Sequence, residues 1–295
     1  MCRAFLSPYK DDSGAYKFDG RFNFGVQTLN IPQIALISKG DKELFWKILD
    51  ERVELIKECA LIRYDYLKDA KSDVSPIHWQ HGAIARLDKG EKIGKYLKDG
   101  YSTVTMGYIG LYETSVVMTG ETHTSEEGRN FVIQVMNKLK EYVDLFTEET
   151  GIKFALYGTP SESTAGRLCN IDKQRFGVIK DVTDKGYYIN SYHVDVREEI
   201  DVFAKFKFES EFQTISTGGC ISYAEIPNMN NNVEALMEII QYIYNTISYA
   251  EFNTKLDYCH ICSFEGEILI NDNLEWECPQ CGNKNQDRMN VVRRT

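Results

Sequence analysis

A chain of 295 residues that is 43% hydrophobic can bury the core of one large α/β domain or of two smaller ones. Its net charge of −10 argues against a protein that coats nucleic acid, because neutralising phosphates takes clustered Lys and Arg, although a local anion site remains open. No apolar run reaches the roughly eighteen residues that a membrane span needs, and the first twenty residues lack the apolar centre of a signal peptide. Of the eight cysteines, four form a metal-binding pattern and Cys2, Cys59, Cys169 and Cys220 are scattered, which is not a secreted disulfide framework. A soluble protein of the reducing cytoplasm is expected, with neither nucleic acid nor membrane as partner.

Residues 1–40 read as loop and short strand, with turn residues at 10–14 and at Asp19-Gly20. Asp41 then starts a helix of about 25 to 30 residues, in which Phe45, Ile48, Leu49, Val53, Ile56 and Ala60 form one apolar stripe. Cys59 beside that stripe is expected to be a core thiol. From 75 to 100, frequent Gly and Lys suggest loops with short helices. Tyr101 to Leu111 reads as a strand running into a loop. Ser125 and Glu126 open a second strong helix with Phe131, Val132, Val135, Leu139, Val143 and Phe146 on one side and Gly151 as its stop. A short buried strand follows at 153–157, and another is expected at 219–225. A third amphipathic helix is expected over about 232–253, with Val233, Leu236, Ile240, Ile243 and Ile247 inward. The composition changes near Leu256, dividing the chain into 1–255 and a cysteine module at 256–295.

That module contains Cys259-His260-Ile261-Cys262, then fifteen residues from Ser263 to Glu277, then Cys278-Pro279-Gln280-Cys281. Each C-x2-C turn points two thiolates the same way, and two such turns can close a tetrahedron around zinc. Asp272, Asn273 and Gly282 supply turns. A pair of redox disulfides and an iron-sulfur site are the competing readings. His260 is not expected to be a ligand. Four thiolates leave no open coordination position, so a zinc ion here is structural.

The other informative stretch is Tyr157-Gly158-Thr159-Pro160-Ser161-Glu162-Ser163-Thr164-Ala165. Thr159 is a candidate helix cap, Pro160 suits a first helical position, and Glu162 stands where a capping box wants a carboxylate. A helix start placed directly after a strand, among small residues, attracts phosphate through free N–H groups and the helix dipole. The bland alternative is a capped helix without a ligand. His78 and His81 lack an evident third ligand. His193, in a cluster with Asn190 and Ser191, reads by default as part of a structural hydrogen-bond network.

In order and spacing, these residues resemble one family, the anaerobic (class III) ribonucleoside-triphosphate reductases, which are glycyl-radical enzymes. Cys2-Arg3-Ala4-Phe5-Leu6 resembles its active-site cysteine segment, Gly20-Arg21-Phe22-Asn23 the turn after it, and Gly158 to Ser163 its substrate-phosphate loop. Tyr188 to His193 and the closing cysteine module also fit. The resemblance implies an α/β fold in which this chain is half of a ten-stranded barrel followed by a small zinc ribbon. It implies that Cys2 becomes the thiyl that takes the ribose 3′ hydrogen, and that Gly158, Thr159, Pro160, Ser161, Glu162, Ser163, Thr164 and Ala165 hold the substrate phosphates. Cys259, Cys262, Cys278 and Cys281 would hold zinc. An Asn at position 23 matches the branch that uses formate as reductant.

The implied partners are a ribonucleoside triphosphate, formate, an iron-sulfur activase that uses S-adenosylmethionine to make the glycyl radical, and the other barrel half, within a homodimer. The family's radical lies in an Arg-x-Cys-Gly-Tyr segment after the zinc module, whereas this chain stops at Arg293-Arg294-Thr295. The expectation is a catalytic fragment, inactive alone, from a split gene or a trimmed chain. The alternative is a non-catalytic nucleotide-binding or zinc-ribbon interaction protein. A glycyl-radical enzyme acting on a carboxylic acid would not need a phosphate-binding helix start.

Overall fold

The computed structural model describes residues 4–11, 13–227, 229, 232–254, 256–271, 273 and 275–291, without the side chain of Glu162. It divides into two compact units, at Ile221/Ser222.

In the first unit, strands β1 (Phe22–Asn30), β2 (Ser102–Ile109) and β3 (Lys153–Gly158) form a parallel sheet in the order β1-β2-β3. Parallel neighbours need long crossovers, and helices supply them. Helices α1 (Ile31–Ser38), α2 (Lys42–Leu67) and α3 (Pro76–Trp79) lie between β1 and β2, and α4 (Leu111–Thr119) and α5 (Glu126–Thr150) between β2 and β3. After β3 come α6 (Glu162–Phe176) and α7 (Val202–Ile215).

The two long helices start and stop where their side chains dictate. Asp41 accepts the Leu44 N–H at 3.1 Å to open α2, and Ser125 accepts that of Gly128 at 3.1 Å to open α5. Gly151, at φ 67°, closes α5 by donating to the Thr147 carbonyl. Their apolar stripes bury Phe45, Leu49, Val53, Phe131, Val135, Leu139 and Phe146 against Val104, Met106, Tyr108, Phe154 and Leu156 of the sheet. Alternation along a strand then places Thr103, Thr105 and Gly107 on the opposite face.

Three helices depart from the reading of the sequence. α1 and α4 occupy stretches read as loop; in both, apolar residues lie on all sides, so no helical period shows. α7, capped by Asp201 through the N–H groups of Phe203 and Ala204, has no helical signature in the sequence, because Val202 to Phe208 alternates like a strand. Cys59 is exposed rather than a core thiol, since it lies off the Ile56–Ala60 stripe. The 3₁₀ and short helical turns around 72–97 match the loop-rich expectation.

The second unit opens with β4 (Ser222–Ile226), crosses through α8 (Val233–Thr246) and returns as β5 (Ala250–Thr254), parallel to β4. α8 is shorter than expected because its predicted end is strand. Of the residues expected inward, Ile247 is buried and Leu236 and Ile243 are half-buried, whereas Val233 and Ile240 face solvent, 57% and 41% exposed, and Ile239 is buried in their place. The cysteine module adds β6 (Asp257–Cys259), β7 (Glu265–Gly266), β8 (Leu269–Ile270), β9 (Trp276–Glu277) and β10 (Met289–Asn290), with sheet orders β10-β6-β7 and β8-β9. Among the described residues, no helix is long and apolar enough to cross a membrane.

One buried histidine gives the first unit a pH dependence. His123 sits edge-on between Tyr112 and Phe208, and its Nε2 is 3.0 Å and 3.1 Å from the Tyr192 and His193 carbonyls. Two acceptors fix that nitrogen as the donor, which leaves Nδ1 bare and without a hydrogen-bond partner among the described residues. Burial pushes its pKa down to about 4. The unfolded chain therefore takes up this proton near pH 6.5 and the folded chain only near pH 4, so stability falls as pH falls through that window. The expected contribution is roughly 3 kcal/mol. Urea midpoints at pH 7 and pH 4.5 should converge more in His123→Asn than in the wild type; equal slopes would refute the assignment.

Candidate functional site

The β3–α6 junction is built by a close approach across the sheet. Thr28 of β1 and Thr159, just beyond β3, meet at 3.1 Å between hydroxyls, across the strand that separates them. Gly107 of β2 makes this possible: a Cβ there would lie 2.1 Å from Thr159 Oγ1 and 2.7 Å from Thr28 Oγ1. The expected cap is accordingly not formed. Thr159 is engaged with Thr28, and α6 begins only at Glu162, with Ser161 at its N-cap in the left-handed conformation, φ 41°. The Ser161 hydroxyl turns to Asn190 Oδ1 at 2.6 Å and makes no cap bond to α6. The Thr164 and Ala165 N–H groups donate to the Ser161 carbonyl, so it is those of Glu162 and Ser163, at the positive dipole end, that keep the donor capacity that suits an anion. Thr159, Ser161 and Ala165 are buried, Ser163 is exposed, and Pro160 and Thr164 are half-buried.

Two buried carboxylates hold this junction from behind. Asp172 of α6 accepts from Asn30 Nδ2 at 2.8 Å, Gln33 Nε2 at 2.5 Å and the Tyr188 hydroxyl at 2.9 Å. Burial and the Asp172 charge both raise the Tyr188 pKa, so this phenol stays a donor. Glu113 of α4 is fully buried and accepts from Lys185 Nζ at 2.8 Å and from the Ile189 N–H at 2.9 Å. Burial raises its pKa and the Lys185 ammonium pulls it back only in part. Lys185 also reaches Asp195 at 3.1 Å, and Arg197 grips the same carboxylate at 2.7 Å. Burial would raise the Asp195 carboxyl, but Arg197 and Lys185 outweigh it and hold it at about 2.

Asn23 lies at the other end of the same sheet face. The β1 register shifts between Asn23, which pairs with Thr103, and Gly25, which pairs with Val104. That bulge turns Asn23 away from the helix-covered side, so it shares a face with Thr103. Both Asn23 Oδ1 and Thr103 Oγ1 are buried without a hydrogen-bond partner among the described residues. Five residues of strand, roughly 16 Å, separate Asn23 from Thr28. Arg21, in the turn before it, is used structurally, its guanidinium donating to the carbonyls of Gly100, Lys17 and Ser7. Cys2 lies outside the described residues. The chain that follows it is anchored by the Phe5 N–H to the Gly218 carbonyl, next to the strip that pairs with β3.

In the second unit, the four expected ligands converge: the sulfurs of Cys259, Cys262, Cys278 and Cys281 all lie within 4.8 Å of one another. Cys259–Cys281 and Cys262–Cys278 are 3.7 Å and 3.6 Å apart, against about 3.8 Å for the edge of a zinc–thiolate tetrahedron with bonds near 2.3 Å. The two knuckles share one geometry. Ser263 (φ 59°) and Gly282 (φ 69°) follow the second cysteine of each pair and donate to the carbonyl of the first. Burial raises the Cys259 thiol, but the Cys262 and Ile261 amides outweigh it and bring it to about 6. The residues fit zinc. His260 packs against Tyr258 and is not in the cluster. The turn that joins β8 and β9 is closed by Asn271 Oδ1, which accepts from Asn273 and Glu275, whereas Asp272 lies outside the described residues.

The structure thus brings Gly158 to Ala165 together with Asn190, and the four cysteines together, while Asn23 stands at the far end of the shared face. Reading the sequence missed Thr28, Asn30, Gln33, Glu113, Asp172 and Lys185; the polar cluster at 188–193 was the only signal pointing toward them. His78 bonds Ser75 Oγ at 2.6 Å through Nδ1, and neither it nor His81 belongs to a metal-type cluster among the described residues.

This mixed α/β fold has counterparts among the solved anaerobic ribonucleotide reductases. The structure matches that of Thermotoga maritima with glycerol in the active site at a TM-score of 0.66 and 23% identity, covering 96% of this chain and 44% of that one. It matches the same enzyme in complex with dATP and CTP at 0.65 and 22%, with equal coverage. A family model described as anaerobic ribonucleoside-triphosphate reductase spans residues 1–295, and the chain belongs to that family. It is 39% identical to the reductase of Escherichia coli (strain K12), over 99% of this chain and 41% of that protein. To the reductase of Enterobacteria phage T4 it is 38% identical, over 100% and 48%. The chain therefore spans less than half the length of these relatives.

Gly107→Ala should lower the urea midpoint by an amount equivalent to about 1–3 kcal/mol, because the methyl group must push Thr28 and Thr159 apart; an unchanged midpoint would show that the threonine pair constrains nothing. The purified chain should carry about one zinc by elemental analysis, and chelation should speed hydrogen exchange in 257–291 more than in 4–221. Iron with sulfide, or a metal-free chain with four ordered thiols, would reject the zinc assignment.

Proposed function

We propose that this chain supplies the substrate-holding part of a ribonucleotide reduction centre, as half of a ten-stranded barrel that is completed by a further half and a radical-bearing segment. The observation that carries the reading is the start of α6, where the Thr159 and Ser161 hydroxyls are diverted to Thr28 and Asn190 and the first two amide groups, of Glu162 and Ser163, stay open to an anion. That end lies on the same sheet face as the bare Asn23 oxygen, so a nucleotide with its triphosphate at Gly158 to Ala165 would direct its sugar along the strands toward Asn23.

In this reading a glycyl radical, made by an S-adenosylmethionine iron-sulfur activase, supplies the oxidising equivalent. The Cys2 sulfur takes the ribose 3′ hydrogen and later returns it. The 2′ hydroxyl leaves as water, and formate gives two electrons and leaves as carbon dioxide, oriented by Asn23. Zinc on the four cysteines would be structural, with no open coordination position for a substrate. The working enzyme would be a cytoplasmic homodimer.

The test is nucleotide binding to the chain complemented with the other barrel half. Ser163→Phe, at an exposed position, should raise the Kd for a ribonucleoside triphosphate at least tenfold and leave the circular dichroism spectrum unchanged. Affinity equal to that of the wild type would remove the α6 end as the phosphate site.

A further inference from the structure

Beyond the residues that face the α6 end, the first unit contains a buried ionic cluster with no evident part in the core. Glu113 is fully buried, and the Lys185 and Asp195 side chains are 5% and 1% exposed. Taking charges out of water costs several kcal/mol per ion, and an apolar replacement of equal volume often stabilises as well or better. Stability alone therefore does not explain the cluster. What it does is hold a loop. Residues 189–191 are bonded by α4 and the residue before it at three points: the Gly110 N–H donates to the Ile189 carbonyl at 3.0 Å, the Leu111 N–H donates to that of Ser191 at 3.1 Å, and Glu113 Oε1 accepts the Ile189 N–H. The same Glu113 oxygen is pinned by Lys185, which Asp195 holds in turn.

This loop presents Asn190, whose Oδ1 accepts the Ser161 hydroxyl at 2.6 Å, and Ser161 is the left-handed N-cap of α6. Ser191 is itself left-handed, φ 44°, and the position of a Cβ on Gly158 would be 3.4 Å from its hydroxyl. That hydroxyl is buried without a hydrogen-bond partner among the described residues. A left-handed Ser161 is strained, and the Asn190 bond keeps its hydroxyl away from the helix end it would otherwise cap.

We infer that Glu113 and Lys185 are positioning residues for the α6 end: they set the 189–191 loop, and through Asn190 they keep Ser161 turned so that the first amide groups of α6 are open to the triphosphate. The inference rests on the reading of that end as the phosphate site. It assigns neither residue a contact with substrate.

The experiment measures the Kd of the complemented chain for each of the four ribonucleoside triphosphates by calorimetry, well below the melting temperature. Glu113→Gln with Lys185→Met removes both charges together. It should raise Kd about tenfold with near-ultraviolet dichroism retained, and Asn190→Ala should do the same without touching a buried charge. Combining them should give no more loss than either alone, because both act through one link, whereas their effects on the melting temperature should add.

A charge-free pair that binds within twofold of the wild type, while Ser163→Phe weakens binding, overturns the inference and leaves the phosphate site standing. Additive losses in Kd, or an Asn190→Ala variant of unchanged affinity, overturn it as well. If Ser163→Phe and the charge-free pair are both without effect, the phosphate site fails and the inference with it. Should the paired exchange not fold, the single Glu113→Gln exchange, which keeps an acceptor for the Ile189 N–H, carries the same expectation.

Discussion

Where the three parallel strands of the first unit run out, two threonines touch across the strand between them, and the junction depends on the space they need. Neighbouring strands are held near 4.8 Å by their ladders, so Thr28 on β1 and Thr159 beyond β3 can meet only over β2. Gly107 is the residue without a side chain at that crossing. Once Thr159 is held there, it cannot cap the helix that follows, and the chain turns through a left-handed Ser161 before α6 can start. An open helix end is thus a by-product of a sheet contact.

Around that junction, buried charge is used where buried hydroxyls and amides need fixed partners. Asp172 gathers Asn30, Gln33 and Tyr188, tying the middle of α6 to the start of α1 and to the 188–193 loop. Glu113 binds the same loop from α4. Hydrogen bonds to a charged group contribute roughly 1.5–3 kcal/mol each, about twice a neutral one, and their directionality leaves the loop few alternative positions. The helix-covered face of the sheet is apolar and close-packed, whereas the face toward Asn23 and Thr28 is small and polar.

The cysteine module follows a different rule. Its strands are two or three residues long and its apolar cluster is small, centred on Cys259, Ile268, Cys278 and Met289, so four thiolates on one ion would do the work of a core. Matching knuckles, with Ser263 and Gly282 both left-handed, aim the four sulfurs at one point.

By itself the sequence determined the elements whose causes are local. Asp41, Ser125 and Gly151 delimit α2 and α5 because a cap is a bond between residues three or four apart, and their stripes are legible because a long helix with one buried face shows its period. The four cysteines were legible because a C-x2-C turn orients its own ligands. Only the tertiary structure decided the rest. α1 and α4 are apolar on all sides and show no period, and α7 shows the wrong one. The bulge that turns Asn23 exists only in the register with β2. Thr159 and Ser161 are both competent caps in sequence; which partner each hydroxyl takes depends on Thr28 and Asn190, 131 and 29 residues away, and no local pattern records a bond whose other half is supplied by the fold.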